Sequence, residues 1–309
     1  MGGFPMRKII LAHYYTVPEV QKLADHVGDS LDLALAAKEA KADQIIFLGV
    51  RFMAETAKIL NPNSEVIIPT LAASCSLVEQ TEIEGTTGLR SWVYMHRARN
   101  PDIQHVAYIN TSAEHKALSD WIVTSRNVED VIKHIYDKGQ SVIFSPDRNM
   151  GAYLNYTNNW KIPLWSAVCD VHDQFNLEEL AIAFMQDPGR KKILLSHPES
   201  PLSVLKQADV VGSTHKMLNW VKNTDTDAII YVATEDGLLF NMREARPDLD
   251  IRQAPTYKGC QCNSCPFMKM NTLESAQAAI RGIGDRIDYL TDEVIEKARV
   301  PVERMLDFK

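Results

Sequence analysis

Nowhere in this chain does an apolar run approach the roughly 18 residues needed to span a bilayer. The opening Met1-Gly2-Gly3-Phe4-Pro5-Met6 has no long apolar stretch of the kind that marks a signal peptide. Gly2 follows Met1, but Met6 stands where a myristoylation motif needs Ser or Thr. Positive charge is in deficit: 33 Lys and Arg against 40 Asp and Glu leave a net charge of −7. That excludes a basic footprint for nucleic acid or an anionic membrane. Cysteine is scarce, and five in 309 residues do not make a disulfide scaffold; in a cytosolic enzyme they point to metal binding or catalysis. Low-complexity stretches and charge runs are also missing. The expectation is a soluble cytoplasmic protein, long enough for two or three domains.

What the chain does have is one pattern written three times, each copy ending in cysteine. The first runs from a strand ending at His13 through Gly28-Asp29-Ser30, a helix and the strand Ile45–Gly49 to Cys75. The second runs from Tyr108 and Asn110 through Thr124-Ser125, a helix and Val142–Ser145 to Cys169. The third runs from His197 through Gly212-Ser213, a helix and Ile229–Ala233 to the cluster Cys260, Cys262 and Cys265. Such repeats decide the fold class before anything else.

Short apolar runs alternate with helical patterns, which means parallel strands buried on both faces. The expected strands are Lys8–His13, Ile45–Gly49, Val66–Pro69, His105–Asn110, Val142–Ser145, Pro163–Ser166, Lys192–His197, Asp209–Ser213 and Ile229–Ala233. Thr16 offers a capping hydroxyl ahead of Pro18-Glu19, Leu31–Ala42 is rich in Ala and Leu, and Val128–Lys138 stops at Gly139. The predicted fold is α/β. Three homologous α/β sandwich domains span 1–86, 87–173 and 174–270, and a helical tail over 271–309 (Leu273–Leu290, then Asp292–Arg299) packs on them.

In open α/β sheets, ligands lie beyond the carboxyl ends of the strands, at helix N-termini. Ser30, Ser125 and Ser213-Thr214 are expected at that junction in the three copies, either as helix caps or as donors to an anion. The strand ends add His13 with Tyr15, Tyr108 with Asn110, and His197 with Glu199, a set able to hold carboxylates or phosphate and to move protons. Glu199 is the candidate general base. Cys260, Cys262 and Cys265 by themselves resemble a metal knuckle, but a zinc site wants four ligands and no His follows at finger spacing. As buried residues, Cys75 and Cys169 read equally as small hydrophobes. One thiolate per repeat would instead meet on a common axis, and a four-iron cluster held by three cysteines leaves one iron open as a Lewis acid. Spacing alone does not separate such a cluster from zinc.

At these residues the chain resembles the quinolinate synthase family from Leu11 to about Leu273. The resemblance rests on Leu11-Ala12-His13-Tyr14-Tyr15, Pro18-Glu19-Val20-Gln21, Gly28-Asp29-Ser30 and the segment Gly49 to Ala57. It continues in Tyr108 to Ser112, Pro146 to Gly151, His197-Pro198-Glu199, Gly212-Ser213-Thr214 and Cys265 to Asn271. It implies three αβα sandwiches about a pseudo-three-fold axis. It also implies a [4Fe–4S] cluster on Cys75, Cys169 and Cys265, with one iron free. The implied reaction is a transferase step in NAD biosynthesis: iminoaspartate and dihydroxyacetone phosphate condense to quinolinate, releasing phosphate and two waters. Glu199, Tyr15, Tyr108 and His197 map to catalytic positions, and His13, Ser30, Asn110, Ser125, His172, Ser213 and Thr214 to substrate-binding ones. L-aspartate oxidase or aspartate dehydrogenase is the implied pathway neighbour, and the chain is expected to be a monomer or homodimer. Departures from the family pattern are Ser74 before Cys75, Ser200 after Glu199, His215-Lys216, and Cys-x-Cys-x2-Cys at 260–265. Cys260 and Cys262 are then spare loop thiols or a redox pair. Rival readings are another [4Fe–4S] hydro-lyase acting on a hydroxy-acid and a non-catalytic, zinc-stabilised metabolite-binding protein.

Overall fold

The computed structural model describes residues 7–257 and 263–308, so Cys260 and Cys262 lie outside the described residues. Its strands form three sheets. The first holds β1 (Lys8–His13), β2 (His26–Gly28), β3 (Gln44–Leu48) and β4 (Glu65–Ile68). The second holds β5 (Gln104–Tyr108), β6 (Trp121–Val123) and β7 (Val142–Ser145). The third holds β8 (Lys192–Ser196), β9 (Val210–Val211), β10 (Ile229–Ala233) and β11 (Asp250–Gln253). A late strand, β12 (Asp285–Arg286), joins the first sheet antiparallel to β4; among the described residues every other pairing between these strands is parallel.

The orders β3-β1-β2, β7-β5-β6 and β10-β8-β9 are one topology repeated. Registers repeat as well: the strand ends pair His13 with Gly28, Tyr108 with Val123, and Ser196 with Val211. Between the second and third strand of each copy runs a helix, Ser30–Ala40, Val128–Asp137 or Thr214–Asn223. After the third strand comes another, Arg51–Leu60, Arg148–Asn158 or Asp236–Ala245. Helices over both faces explain why the strands are near-continuous apolar runs. The first and second sheets share one core, centred on residues such as Phe47, Ile68, Val106 and Phe144. Around the third sheet are two separate clusters, including Leu195 with Val232 and Leu194 with Tyr231.

Several expectations change. Pro163–Ser166 makes only isolated bridges, Leu164 to Phe144 and Ala167 to Asp147, although it lies beside β7 as β4 lies beside β3. Pro163 has no N–H to extend a ladder. The strands β2, β6 and β11 are too short to show a period in sequence, and Asp209–Ser213 contracts to β9. Thr16 is not the cap of the turn Pro18–Gln21: Val17 holds that position, and Thr16 Oγ1 donates to the His13 carbonyl at 2.9 Å. The tail helix expected over Leu273–Leu290 stops at Ile280. Gly282 takes φ +86°, and a Cβ on Gly284 would stand 2.7 Å from the Ile68 carbonyl oxygen, so the chain turns there to pair with β4. The last helix, Asp292–Asp307, packs on the helices Arg51–Leu60 and Ala113–Leu118. Among the described residues no helix is long and apolar enough to cross a membrane.

Candidate active site and metal centre

The carboxyl ends of all three sheets open onto one cavity. His13 and Tyr15 enter it from the end of β1, Tyr108 and Asn110 from β5, and His197 and Glu199 from β8. Ser30, Ser125 and Thr214 enter from the connections to the next helices, joined by Cys75, Cys169, His172 and Cys265. Ser30 and Thr214 are first residues of their helices, capped by Asp29 and Ser213, whereas Ser125 precedes the cap residue Asn127 by two positions. Ser213 is the exception among the predicted residues. Its Oγ accepts the Lys216 N–H at 3.2 Å, and it borders a neighbouring cavity with Ser125, Arg126, His215 and Lys216.

Each cysteine is placed by the same device. The first residue of the helix after the third strand donates its N–H to the carbonyl two residues before the cysteine. These bonds are Arg51 to Ala73 (2.7 Å), Arg148 to Ala167 (2.8 Å) and Asp236 to Asn263 (3.1 Å). Cys75 and Cys265 each precede a one-turn helix, Ser76–Glu79 and Pro266–Lys269, and Cys169 precedes the turn His172–Gln174. Burial raises all three thiol pKa values, that of Cys265 to about 11. Backbone N–H groups oppose it: Leu77 and Val78 at Cys75, His172 at Cys169, Phe267 and Met268 at Cys265. Amide donors aimed at sulfur favour the thiolate, the form that binds metal.

The compact donor group among the described residues is Cys169, His172 and Glu199, whose ligand atoms all lie within 4.8 Å of one another. Cys75, Cys169 and Cys265 do not make such a group. All three thiols nevertheless line the one cavity.

Glu199 is the electrostatic centre of the cavity. His172 Nδ1 lies 2.7 Å from Glu199 Oε2 and 3.2 Å from Cys169 Sγ, and the His172 ring stacks on His197 with centroids 4.6 Å apart. On its other side, His172 Nε2 is 2.9 Å from Thr234 Oγ1, which is 3.0 Å from the Tyr15 hydroxyl. Burial would push the Glu199 carboxyl up, but His172, His197 and a hydrogen bond from Tyr108 outweigh it, and its pKa is held below the ordinary carboxylate range. Tyr108 and Tyr15 are raised well above the usual phenol value, by burial first and then by the charge on Glu199. Both are therefore neutral hydroxyl donors. Burial lowers His13 and His197 to about 3, so both rings are neutral near pH 7. His13 Nδ1 accepts the Tyr15 N–H at 3.2 Å, which leaves its proton on Nε2.

Five residues not singled out from the sequence belong to this site. Thr234 joins Tyr15 to His172. Glu235 accepts the Cys265 N–H at 3.0 Å, and burial raises its pKa while Lys269 pulls it down. Asp147 receives the Cys169 N–H from the equivalent helix-cap position. Lys269 pairs with Glu235 at 2.8 Å, and Arg126 grips Asp29 at 2.7 Å and Asp32 at 2.5 Å. An acidic residue two places after the third strand was the one readable signal, for Asp147 and Glu235.

The family model described as quinolinate synthetase A protein matches residues 5–307. A quinolinate synthase of Nostoc punctiforme is 41% identical over 302 residues, covering 98% of this chain and 90% of the relative. One from Chloroherpeton thalassium is 40% identical over 304 residues, with the same coverage of each chain. One from Microcystis aeruginosa is 38% identical over 302 residues, covering 98% and 91%.

Proposed function

The chain belongs to the quinolinate synthetase A family, and on that premise we propose that it makes quinolinate in the cytoplasm for NAD biosynthesis. The substrates are iminoaspartate and dihydroxyacetone phosphate, and the by-products are phosphate and two waters. The observation that carries this reading is the meeting, in one cavity, of three cysteines at helical turns, three hydroxyl-bearing helix approaches and a buried carboxylate hydrogen-bonded by Tyr108.

Ser30, Ser125 and Thr214 lie where backbone N–H groups and helix dipoles favour anions. They suit the two carboxylates of iminoaspartate and the phosphate of the triose. The neutral rings of His13 and His197 add N–H donors without adding charge. Glu199 is the ionised acceptor for the proton that leaves carbon during condensation and isomerisation. The phenols of Tyr108 and Tyr15 return protons to departing oxygens. His172 holds Glu199 in register from Nδ1.

Cys75, Cys169 and Cys265 would hold the iron–sulfur cluster. Bound through three thiolates, a [4Fe–4S] cluster keeps one iron open and supplies a Lewis acid for the loss of water. The compact Cys169–His172–Glu199 group favours a second reading, a single metal ion that would take Glu199 as ligand instead of base. The test is anaerobic purification with iron, sulfide and zinc analysis, then an assay for quinolinate from the two substrates. The expected result is about four irons per chain with quinolinate formed. One zinc per chain and no product after reconstitution would overturn the reading, and iron without quinolinate would point to a different hydro-lyase.

A further inference from the structure

Lys269 ends the helical turn that starts at Cys265, and its ammonium group reaches away from that turn to two other parts of the chain. It stands 2.8 Å from Glu235 Oε1 and 2.8 Å from Asp236 Oδ1, and it donates to the Tyr15 carbonyl at 2.9 Å. Glu235 is fully buried. Its Oε1 also accepts the Cys265 N–H at 3.0 Å, and its Oε2 accepts the Gly237 N–H at 2.7 Å. One cation and one carboxylate thus join the amide of a candidate metal ligand to the backbone of a candidate proton donor.

Beyond the end of β1 at His13, the Tyr14 N–H donates to the Gly28 carbonyl at 3.2 Å, Gln21 Nε2 donates to the Tyr14 carbonyl at 2.8 Å and the Thr16 N–H donates to the His13 carbonyl at 3.0 Å. Lys269 adds a tie at Tyr15 itself. Its N–H rests on His13 Nδ1 at 3.2 Å and its carbonyl on Lys269. The surrounding backbone has no slack: a Cβ on Gly237 would stand 2.6 Å from the Tyr14 carbonyl oxygen and 2.9 Å from Tyr15 Cα. A shift of the Cys265 turn would therefore be passed on to Tyr15 through Lys269.

We propose that Lys269, anchored by Glu235, is a positioning residue that couples the seating of the Cys265 thiolate to the placement of Tyr15. The inference rests on the function proposed above and adds a mechanical link between its metal centre and its proton donor. A charged hydrogen bond shared among three oxygens cannot be replaced by an apolar side chain of similar length, because the buried carboxylate is then left unpaired.

The test uses the whole, anaerobically reconstituted enzyme and three variants: Lys269→Met, Lys269→Arg and Glu235→Gln. Four quantities are read: iron and sulfide per chain, the rate at which the visible absorption bleaches in air, kcat and KM separately, and the melting temperature. Lys269→Met is expected to bleach faster than wild type and to lose roughly tenfold in kcat with KM little changed, the pattern of an interaction made in the transition state. Lys269→Arg is expected to recover most of both losses. A fall in melting temperature alone, with bleaching and kcat unchanged, overturns the proposal. If Lys269→Met does not fold, the near-isosteric Glu235→Gln must show the same paired change, and wild-type bleaching and kcat in that variant overturn it equally. A wild-type chain that takes up no iron overturns the functional reading and the coupling with it. A wild type that loads and turns over beside an unaltered Lys269→Met overturns the coupling alone.

Discussion

A carboxylate removed from water is costly unless donors surround it, and Glu199 has His172, His197 and Tyr108 around it at 2% exposure. Replacing it with Gln keeps the shape and removes the charge that accepts protons. We expect Glu199→Gln to lose about 100-fold or more in kcat while its iron content stays at the wild-type level. A minor rate loss in a steady-state assay would take Glu199 out of that role. The cysteines can be tested one by one. Cys75→Ser, Cys169→Ser and Cys265→Ser are each expected to abolish iron and sulfide retention, while Cys260→Ser and Cys262→Ser retain the wild-type content. Metal analysis of the five proteins checks the assignment, and a cluster that survives Cys265→Ser would transfer the third ligand to a neighbour.

At the scale of elements, the helix Asp236–Ala245 starts against the Tyr14-Tyr15 loop with no room for a methyl group at Gly237. Gly237→Ala is expected to displace that loop and cost about tenfold in kcat, measured beside a circular-dichroism control for folding. A second element-level device joins β5, β7 and the helix Ala113–Leu118. Ser145 Oγ lies 2.7 Å from both His105 Nε2 and His115 Nε2, and all three residues are buried. Burial lowers His105 from 6.5 to about 4, with Asp120 and the Leu118 carbonyl opposing it and Arg97 adding to it. His115 is also lowered, by burial and then by His105 and Lys116. The unfolded chain therefore binds more protons than the folded one between these values. Stability is fully present above pH 6.5, falls as the pH drops toward 4, and loses about 3 kcal/mol from His105 alone. Denaturant titrations at several pH values should show a shallower acid slope in His105→Gln, and an unchanged slope would assign the loss elsewhere.

The element pattern was legible because parallel strands buried on both faces must be apolar: β1, β7 and β10 stand where the apolar runs stood. It was illegible where elements are too short to show a period, as at β2 and β6, and in the tail. There the apolar spacing through Ile280 and Ile287 looked helical, while Gly282 and Gly284 turned the chain onto the sheet.

At the scale of the whole molecule, the repeats are held in register by pairs that no single repeat contains. Arg126, from the second copy, binds Asp29 and Asp32 at the start of a first-copy helix, and His215 of the third stands 3.9 Å from Asp32. This partly buried bridge lies between the main cavity and its neighbour, since Asp29 lines one and Arg126 the other. Arg126→Ala is expected to lower the unfolding free energy by about 2 kcal/mol and to raise KM. A double-mutant cycle with Asp29→Asn should show that the two changes do not add, and strict additivity would mean that the bridge contributes nothing.

The chain's sequence alone determined the threefold repetition, the α/β class and the residue types at each strand end, because these follow from local pattern and from chemistry carried on single residues. His13, Tyr108, Glu199, Cys75 and Cys169 were readable in that way, whereas Cys265 was set apart from Cys260 and Cys262 by the family resemblance. Only the tertiary structure decided that Ser213 faces the neighbouring cavity, that Thr234 stands between Tyr15 and His172, and that Lys269 reaches Tyr15 from a turn beginning at Cys265. Each of these depends on partners distant in the chain, and a hydrogen bond or ion pair leaves no trace in sequence until packing brings its two ends within about 3 Å.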